Sequence, residues 1–223
     1  MRQDDFIVDG DELVGAGGFL TIRRLRMRNR RPDGSSSRGY VCDVVARPYG
    51  QDAVVVVAYA RRPDGGVDVL VRACLRPGLL LVRDGAAAPL AEARESALLT
   101  ELVAGIVEVA DRGEAGLRAR AAAELHEEAG FVVDPRAMTL LGAGTLPSPG
   151  AMPEKFYFVA VEVDPQAQLA APGDGSPMEE GASTWWVDLD EAIAASVRGE
   201  LEDAKTELGL RRLRDWLQGD ARR

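Results

Sequence analysis

Apolar and polar positions divide the chain into stretches of different period. From Phe19 to Arg30 the alternation is imperfect, with Arg24, Arg26, Arg28 and Arg30 on one face and Leu25, Met27 and Asn29 on the other, which predicts a half-exposed strand. Pro32 to Ser37 then reads as a turn. Tyr40 to Ala46 is a further strand, punctuated by Arg47-Pro48-Tyr49-Gly50 before a fully apolar run from Ala53 to Ala58. A second turn, Arg61 to Gly66, joins that run to a strand over Val67 to Leu75, so the two predict a hairpin.

The middle of the chain changes period. Pro89 to Leu99 is rich in Ala and Glu, and Leu117 to Ala129 contains no Gly or Pro and stops at Gly130, so both predict helices. Strands follow over Lys155 to Val163 and Ser183 to Val187, separated by a long loop, Asp164 to Gly181. Helices over Leu189 to Val197 and Asp203 to Leu217 close the chain, the last with an apolar stripe of Leu208, Leu210, Leu213, Trp216 and Leu217. Strands, helix, strands, helices in that order predict an α/β fold with a mixed sheet covered on both faces. Gly15-Ala16-Gly17-Gly18 and Gly142-Ala143-Gly144 read as turns, because the spacing of a phosphate-binding loop is absent around them.

Composition narrows the picture. A length of 223 residues suits one large domain, or a domain with an added arm, and 46% hydrophobic against 5% aromatic residues calls for an aliphatic core. The net charge of −9, with a single His, disfavours a basic nucleic-acid surface. Cys42 and Cys74 stand far apart with no CxxC spacing, which argues against a zinc site or a disulfide framework. No apolar run approaches the roughly 18 residues of a membrane span, and the N-terminus has no apolar targeting segment. The expectation is a soluble, cytoplasmic protein without membrane or nucleic-acid partners.

Chemistry concentrates in Glu124-Leu125-His126-Glu127-Glu128-Ala129-Gly130-Phe131. On a helix, Glu124, Glu127 and Glu128 stand at i, i+3 and i+4, so three like charges share a face with no Lys between them. A hard divalent cation, Mg²⁺ or Mn²⁺, is the simplest compensation; the plain alternative is a solvated acidic face. His126 falls on the opposite side of the helix and reads as a surface or packing residue.

Ala104-Gly105, the loop carrying Glu114, and then Glu124-Leu125-x-Glu127-Glu128-x-Gly130-Phe131 resemble the Nudix box, GX5EX7REUXEEXGU, of the Nudix hydrolase superfamily. Glu101 to Gly105, Arg76-Pro77, Ser148 to Glu154 and Gly199 to Thr206 are similar to segments of its ADP-ribose pyrophosphatase branch, so the resemblance runs over most of residues 40–217. Two features depart from it. The box arginine is Ala123, for which Arg120 one turn earlier is the candidate substitute, and the loop from Gly105 to Glu114 is three residues longer than the pattern, which makes Glu114 a poor match for the first glutamate.

The resemblance implies an α/β/α sandwich with a mixed sheet over residues 49–223, and an N-terminal antiparallel β arm over residues 1–48 at a homodimer interface. It implies Mg²⁺-dependent hydrolysis of a nucleoside diphosphate sugar, with ADP-ribose giving AMP and ribose 5-phosphate; the alternative is a catalytically weak module that binds or senses a nucleotide sugar. Metal ligands would be Glu124, Glu128 and Glu127 with the Ala104 carbonyl, and Glu180 or Glu179, with Glu127, would serve the attacking water. Arg76, Glu154 and Glu101 are the candidate substrate contacts; Arg76 either meets a phosphate or ribose or pairs with a carboxylate. Tyr40 and Phe19 are candidate base stackers, with core packing the expected role. The Arg24 to Arg30 face would line an anionic ligand site or meet an acidic partner subunit.

Overall fold

The computed structural model describes residues 5–16, 19–83, 88–90, 95–173, 175–179 and 181–220. Two sheets carry the chain. The first is an antiparallel three-stranded sheet, β1 (Phe6–Gly15), β2 (Thr21–Asn29) and β3 (Tyr40–Ala46), in that order. The second is a seven-stranded mixed sheet built on β4 (Ala53–Arg61), in which Ala53 to Ala60 are all buried because both faces are covered. β5 (Val67–Leu75) pairs antiparallel with β4, while β9 (Phe156–Glu162) pairs with it in parallel. β8 (Thr139–Leu140) and β10 (Ser183–Asp188) form the two edges.

β4 and β5 are paired only near their hairpin end, from Tyr59 and Val69 to Arg61 and Val67. The gap beyond is filled by β6 (Leu98–Glu101), which pairs with β5, and β7 (Val103–Ile106), which pairs with β4. Leu102 between them gives its N–H to Thr206 Oγ1 at 2.8 Å, so the crossing leaves no orphan donor there. This wedge brings Ala104 and Gly105 into the middle of the sheet.

The period-2 alternation of the strands sorts residues into two cores. Val54, Val56, Ala58, Leu70, Val103, Val159 and Val161 face α2 (Gly113–Ala129), and Val55, Val57, Val69, Val71, Phe158 and Ala160 face α3 (Leu189–Arg198) and α4 (Ala204–Asp220). The buried positions of α2 are Leu125 and three alanines, Ala121, Ala122 and Ala129, whose small side chains let the helix lie close to the sheet. Gly130 ends it at φ 74°, the left-handed C-terminal cap expected there. A four-residue helix, α1 (Gly78–Leu81), follows β5.

Four expectations change. The described residues of the Pro89 to Leu99 stretch are not helical: Leu98 opens β6 and residues 88–90 are a bend, while residues 91–94 lie outside those described. The chain there completes hydrogen bonds at β5, which outweighs the helix propensity of Ala and Glu. β1 was not foreseen, because Asp9-Gly10-Asp11-Glu12 has the composition of a turn; Gly17 and Gly18 of the turn expected after it lie outside the described residues. The arginines of β2 do not form an open cationic face. Arg23 pairs with Asp11, Arg24 with Asp43 at 2.7 Å, Arg26 with Glu12 at 2.8 Å and Arg28 with Asp9 at 2.5 Å, all across the sheet. Tyr40 and Phe19 are not core residues either: Phe19 is exposed with Arg47 5.4 Å from its ring centre, and exposed Tyr40 donates to Asn29 Oδ1 at 2.7 Å.

Candidate active site

Helix α2 runs along the wedge strand β7, so its inward carboxylates meet backbone. Glu128 Oε2 accepts from the Ala104 N–H at 3.2 Å. Glu124 lies against Gly105 so closely that a Cβ built on that glycine would be 1.8 Å from the Glu124 carboxyl carbon. Burial, then the neighbouring charges of Glu128 and Glu127, push the Glu124 carboxyl up to about 7 against weaker opposition from Arg120 and Arg72. Burial also raises Glu128, although Arg72 and the Ala104 N–H favour its anion.

Two arginines attend these acids. Arg120 holds Asp111 and Glu108 at 2.8 Å and reaches Glu124, one turn along the helix, at 3.8 Å. Arg72 of β5, 3% exposed, forms an ion pair with Glu128 and comes within 4.0 Å of Glu179. Sequence reading did not single out Arg72. Its signal was present as one charge inside the otherwise uncharged run Val69 to Leu75, and its register beside Leu70 points it to the α2 face.

The long loop before β10 is stitched to the end of α2. Gln168 Nε2 donates to the Ala129 carbonyl at 3.0 Å and to Thr184 Oγ1 at 2.9 Å; the Leu169 N–H donates to Gly130 O and the Gly173 N–H to Glu127 O, both at 3.0 Å. These bonds satisfy helix-terminal carbonyls that have no partner within the helix. Between loop, helix and sheet lies a cleft of about 420 Å³ lined by Arg72, Glu127, Glu128, Gln168, Glu179 and Thr184 among others. A larger depression, about 760 Å³, lies at the other end of α2 among Glu114, Arg118, Asp134 and Arg136. Glu114 and Arg118 are paired with each other there, and the glutamate cluster is absent, so the smaller cleft is the better candidate.

The expected site residues separate into three groups. Glu127, Glu128 and Glu179 line the cleft, Ala104 and Glu124 stand next to Glu128 behind that lining, and Glu180 lies outside the described residues. Arg76 and Glu101 form a second cluster: Arg76 Nε and Nη2 reach buried Glu101 at 2.7 and 2.8 Å, and Lys205 Nζ reaches it at 2.5 Å. Burial would raise Glu101, yet the Arg76 hydrogen bonds and the Lys205 charge outweigh it and hold the carboxyl below its ordinary range. Lys205 also meets Asp203, which caps α4 by accepting from the Thr206 N–H and hydroxyl. Buried Glu154 pairs with Arg47, joining the three-stranded sheet to the larger one, and the Val45 N–H adds a bond to Ala151 O at 2.9 Å.

Among the described residues no three Cys, His, Asp or Glu groups already converge closely enough to hold a metal ion. The donor chemistry fits a hard divalent cation all the same: two adjacent carboxylates, each disfavoured as an anion by burial, need positive charge beside them. Arginine supplies it here. No helix among the described residues is long and apolar enough to cross a membrane.

No family model and no curated protein matches the chain. A solved structure described as an ADP compounds hydrolase aligns over 98% of this chain and 97% of its own, at 17% identity and a TM-score of 0.66. A NUDIX hydrolase from Alicyclobacillus acidocaldarius aligns over 73% of this chain and 90% of its own, at 13% identity and a TM-score of 0.48. An Ap4A hydrolase from C. elegans aligns over 75% and 98%, at 16% identity and a TM-score of 0.42. The likeness over the full chain is one of fold: a mixed sheet between α2 and the α3–α4 pair, with a separate antiparallel arm.

Proposed function

We propose that the chain is a divalent-cation-dependent Nudix pyrophosphohydrolase that cleaves the diphosphate of a nucleoside diphosphate sugar, with ADP-ribose and water giving AMP and ribose 5-phosphate. The observation that carries this reading is the placement of Glu124 and Glu128 against Gly105 and Ala104 beside a cleft, both carboxyls raised by burial. The full-chain likeness to an ADP compounds hydrolase supports an adenine nucleotide as substrate. A bound Mg²⁺ or Mn²⁺ would supply neutralisation of the diphosphate and polarisation of phosphorus.

The chain's own residues take the remaining parts. Glu124 and Glu128, with Glu127 and the Ala104 carbonyl, are the set that would hold the cation, and Arg120 steadies Glu124. Glu179 lines the cleft from the loop and, with Glu180 next to it in sequence, is the candidate to orient and deprotonate water. Arg76, with its fork fixed by Glu101, is offered to a phosphate or ribose. Glu154 acts at one remove, by fixing Arg47 and with it the arm. Residues 1–48 as a dimerisation arm, and a cytoplasmic setting for the free Cys42 and Cys74, belong to the same reading.

A second reading, a nucleotide-sugar binding module with weak chemistry, is favoured by one observation: Arg72 occupies Glu128. Product analysis separates the two. Incubation of the protein with Mg²⁺ and a panel of nucleoside diphosphate derivatives, ADP-ribose first, is expected to release a nucleoside monophosphate and a sugar phosphate. Binding of these compounds with no product from any of them overturns the enzymatic reading.

A further inference from the structure

Arg72 sits where a cation is needed. Its side chain is buried on β5, its guanidinium meets Glu128 Oε1, and the other oxygen of Glu128 is already taken by the Ala104 N–H. A divalent ion that binds Glu128 therefore arrives beside the guanidinium of Arg72 on the same carboxylate, and the two positive charges repel at contact distance. The guanidinium has a second carboxylate near it: Glu179 Oε1 lies 4.0 Å from Nη2, on the loop that closes the cleft from the opposite side. The guanidinium thus stands between two carboxylates, with Nη1 toward Glu128 and Nη2 toward Glu179.

We propose that Arg72 is the counter-ion of the metal-free site, and that a divalent cation arriving at Glu128 displaces its guanidinium onto Glu179, so that metal occupancy and loop position are coupled. This rests on the reading of Glu124 and Glu128 as the cation site. Arg72 is then a positioning residue that keeps buried Glu128 satisfied without metal, lowers metal affinity by charge repulsion, and holds the loop acid at the cleft when metal is present.

The test is Mn²⁺ binding to the whole protein, without substrate, followed by electron paramagnetic resonance of the free ion. Arg72→Gln is expected to bind Mn²⁺ at least about fivefold more tightly than wild type, the lower end of ordinary coupling strengths. Its melting temperature should fall markedly without metal and much less with saturating Mn²⁺. Arg72→Lys, which keeps a charge but not the planar fork, should lie between the two in affinity. Wild-type binding with equal or weaker affinity in Arg72→Gln overturns the inference alone, whereas no Mn²⁺ binding by wild type overturns the cation site and the inference with it. Should Arg72→Gln not fold, crystal structures of the wild type with and without Mn²⁺ decide: transfer of the guanidinium to Glu179 supports the exchange, and a guanidinium still on Glu128 beside bound metal overturns it.

Discussion

The Glu124 carboxyl group rests on Gly105 in the space that a methyl side chain would occupy. The wedge strand thus has to present bare backbone at this position, since any side chain would push the glutamate off the sheet. Gly105→Ala is expected to reduce hydrolysis of the best diphosphate substrate at least about tenfold by displacing one cation ligand, the scale of losses seen when such ligands lose their orientation. Far-UV circular dichroism of the variant should match wild type, and a full rate in a folded Gly105→Ala protein would remove Glu124 from the site.

Glu128→Gln removes an anion while keeping shape. Turnover should fall by at least about a hundredfold, and Mn²⁺ binding should weaken with it. Arg72 would lose its charged partner, so some loss of thermal stability is expected as well; an unchanged rate sinks the assignment of Glu128.

The pH dependence of stability carries a sign. Glu124 stands at about 7 in the folded chain against an ordinary value of 4.5, so between those values the folded state binds more protons than the unfolded one. Its contribution is therefore present below about 4.5 and is lost as pH rises through 7. Metal-free wild type should be destabilised, relative to Glu124→Gln, on moving from pH 5 to pH 7.5, and divalent cation should restore stability at the upper pH. Denaturant titration of both proteins with chelator measures the difference, and parallel curves would contradict the assigned shift.

Gly130 combines two constraints: φ of 74°, and a Leu169 carbonyl 2.1 Å from where a Cβ would stand. Gly130→Ala should destabilise the fold by about 1–2 kcal/mol from backbone strain alone. It should also loosen the loop, which limited proteolysis between residues 164 and 181 would detect as faster cleavage.

Lys205→Met leaves buried Glu101 with Arg76 as its remaining cation. Loss of one partner from a buried ionic cluster typically costs about 3–5 kcal/mol, and the retained Arg76 fork should keep this case near the lower end. Urea unfolding checks the value, and a cost near zero would place Glu101 in a wetter setting than the fold suggests.

Strand, helix and sheet type were legible wherever burial is periodic. β3, β5 and the C-terminal cap at Gly130 fall where the pattern put them, because a two-sided core and a left-handed glycine leave strong local marks. The wedge β6–β7 was not legible: Glu101 to Gly105 stood out only by resemblance, the start of β6 read as helix, and the pairing depends on a gap between β4 and β5 that no local pattern encodes. The site divides likewise. The spacing of Glu124, Glu127 and Glu128 was visible as helix geometry, but which cation stands beside them was not: Arg72 meets Glu128 across 56 positions, and Arg47 meets Glu154 across 107. Partners this remote in sequence are brought together by sheet register alone.

The paired arginines of β2 also determine how charge is distributed over the molecule. Residues 1–48 carry nine basic and seven acidic side chains, net +2, while residues 49–223 carry 18 basic and 29 acidic, net −11. The arm therefore adds little long-range attraction, and an anionic nucleotide must approach a body whose field repels it. Screening lengths near 10 Å at 0.1 M salt shrink that barrier, so added salt should accelerate encounter, the reverse of what a cation-lined funnel would give.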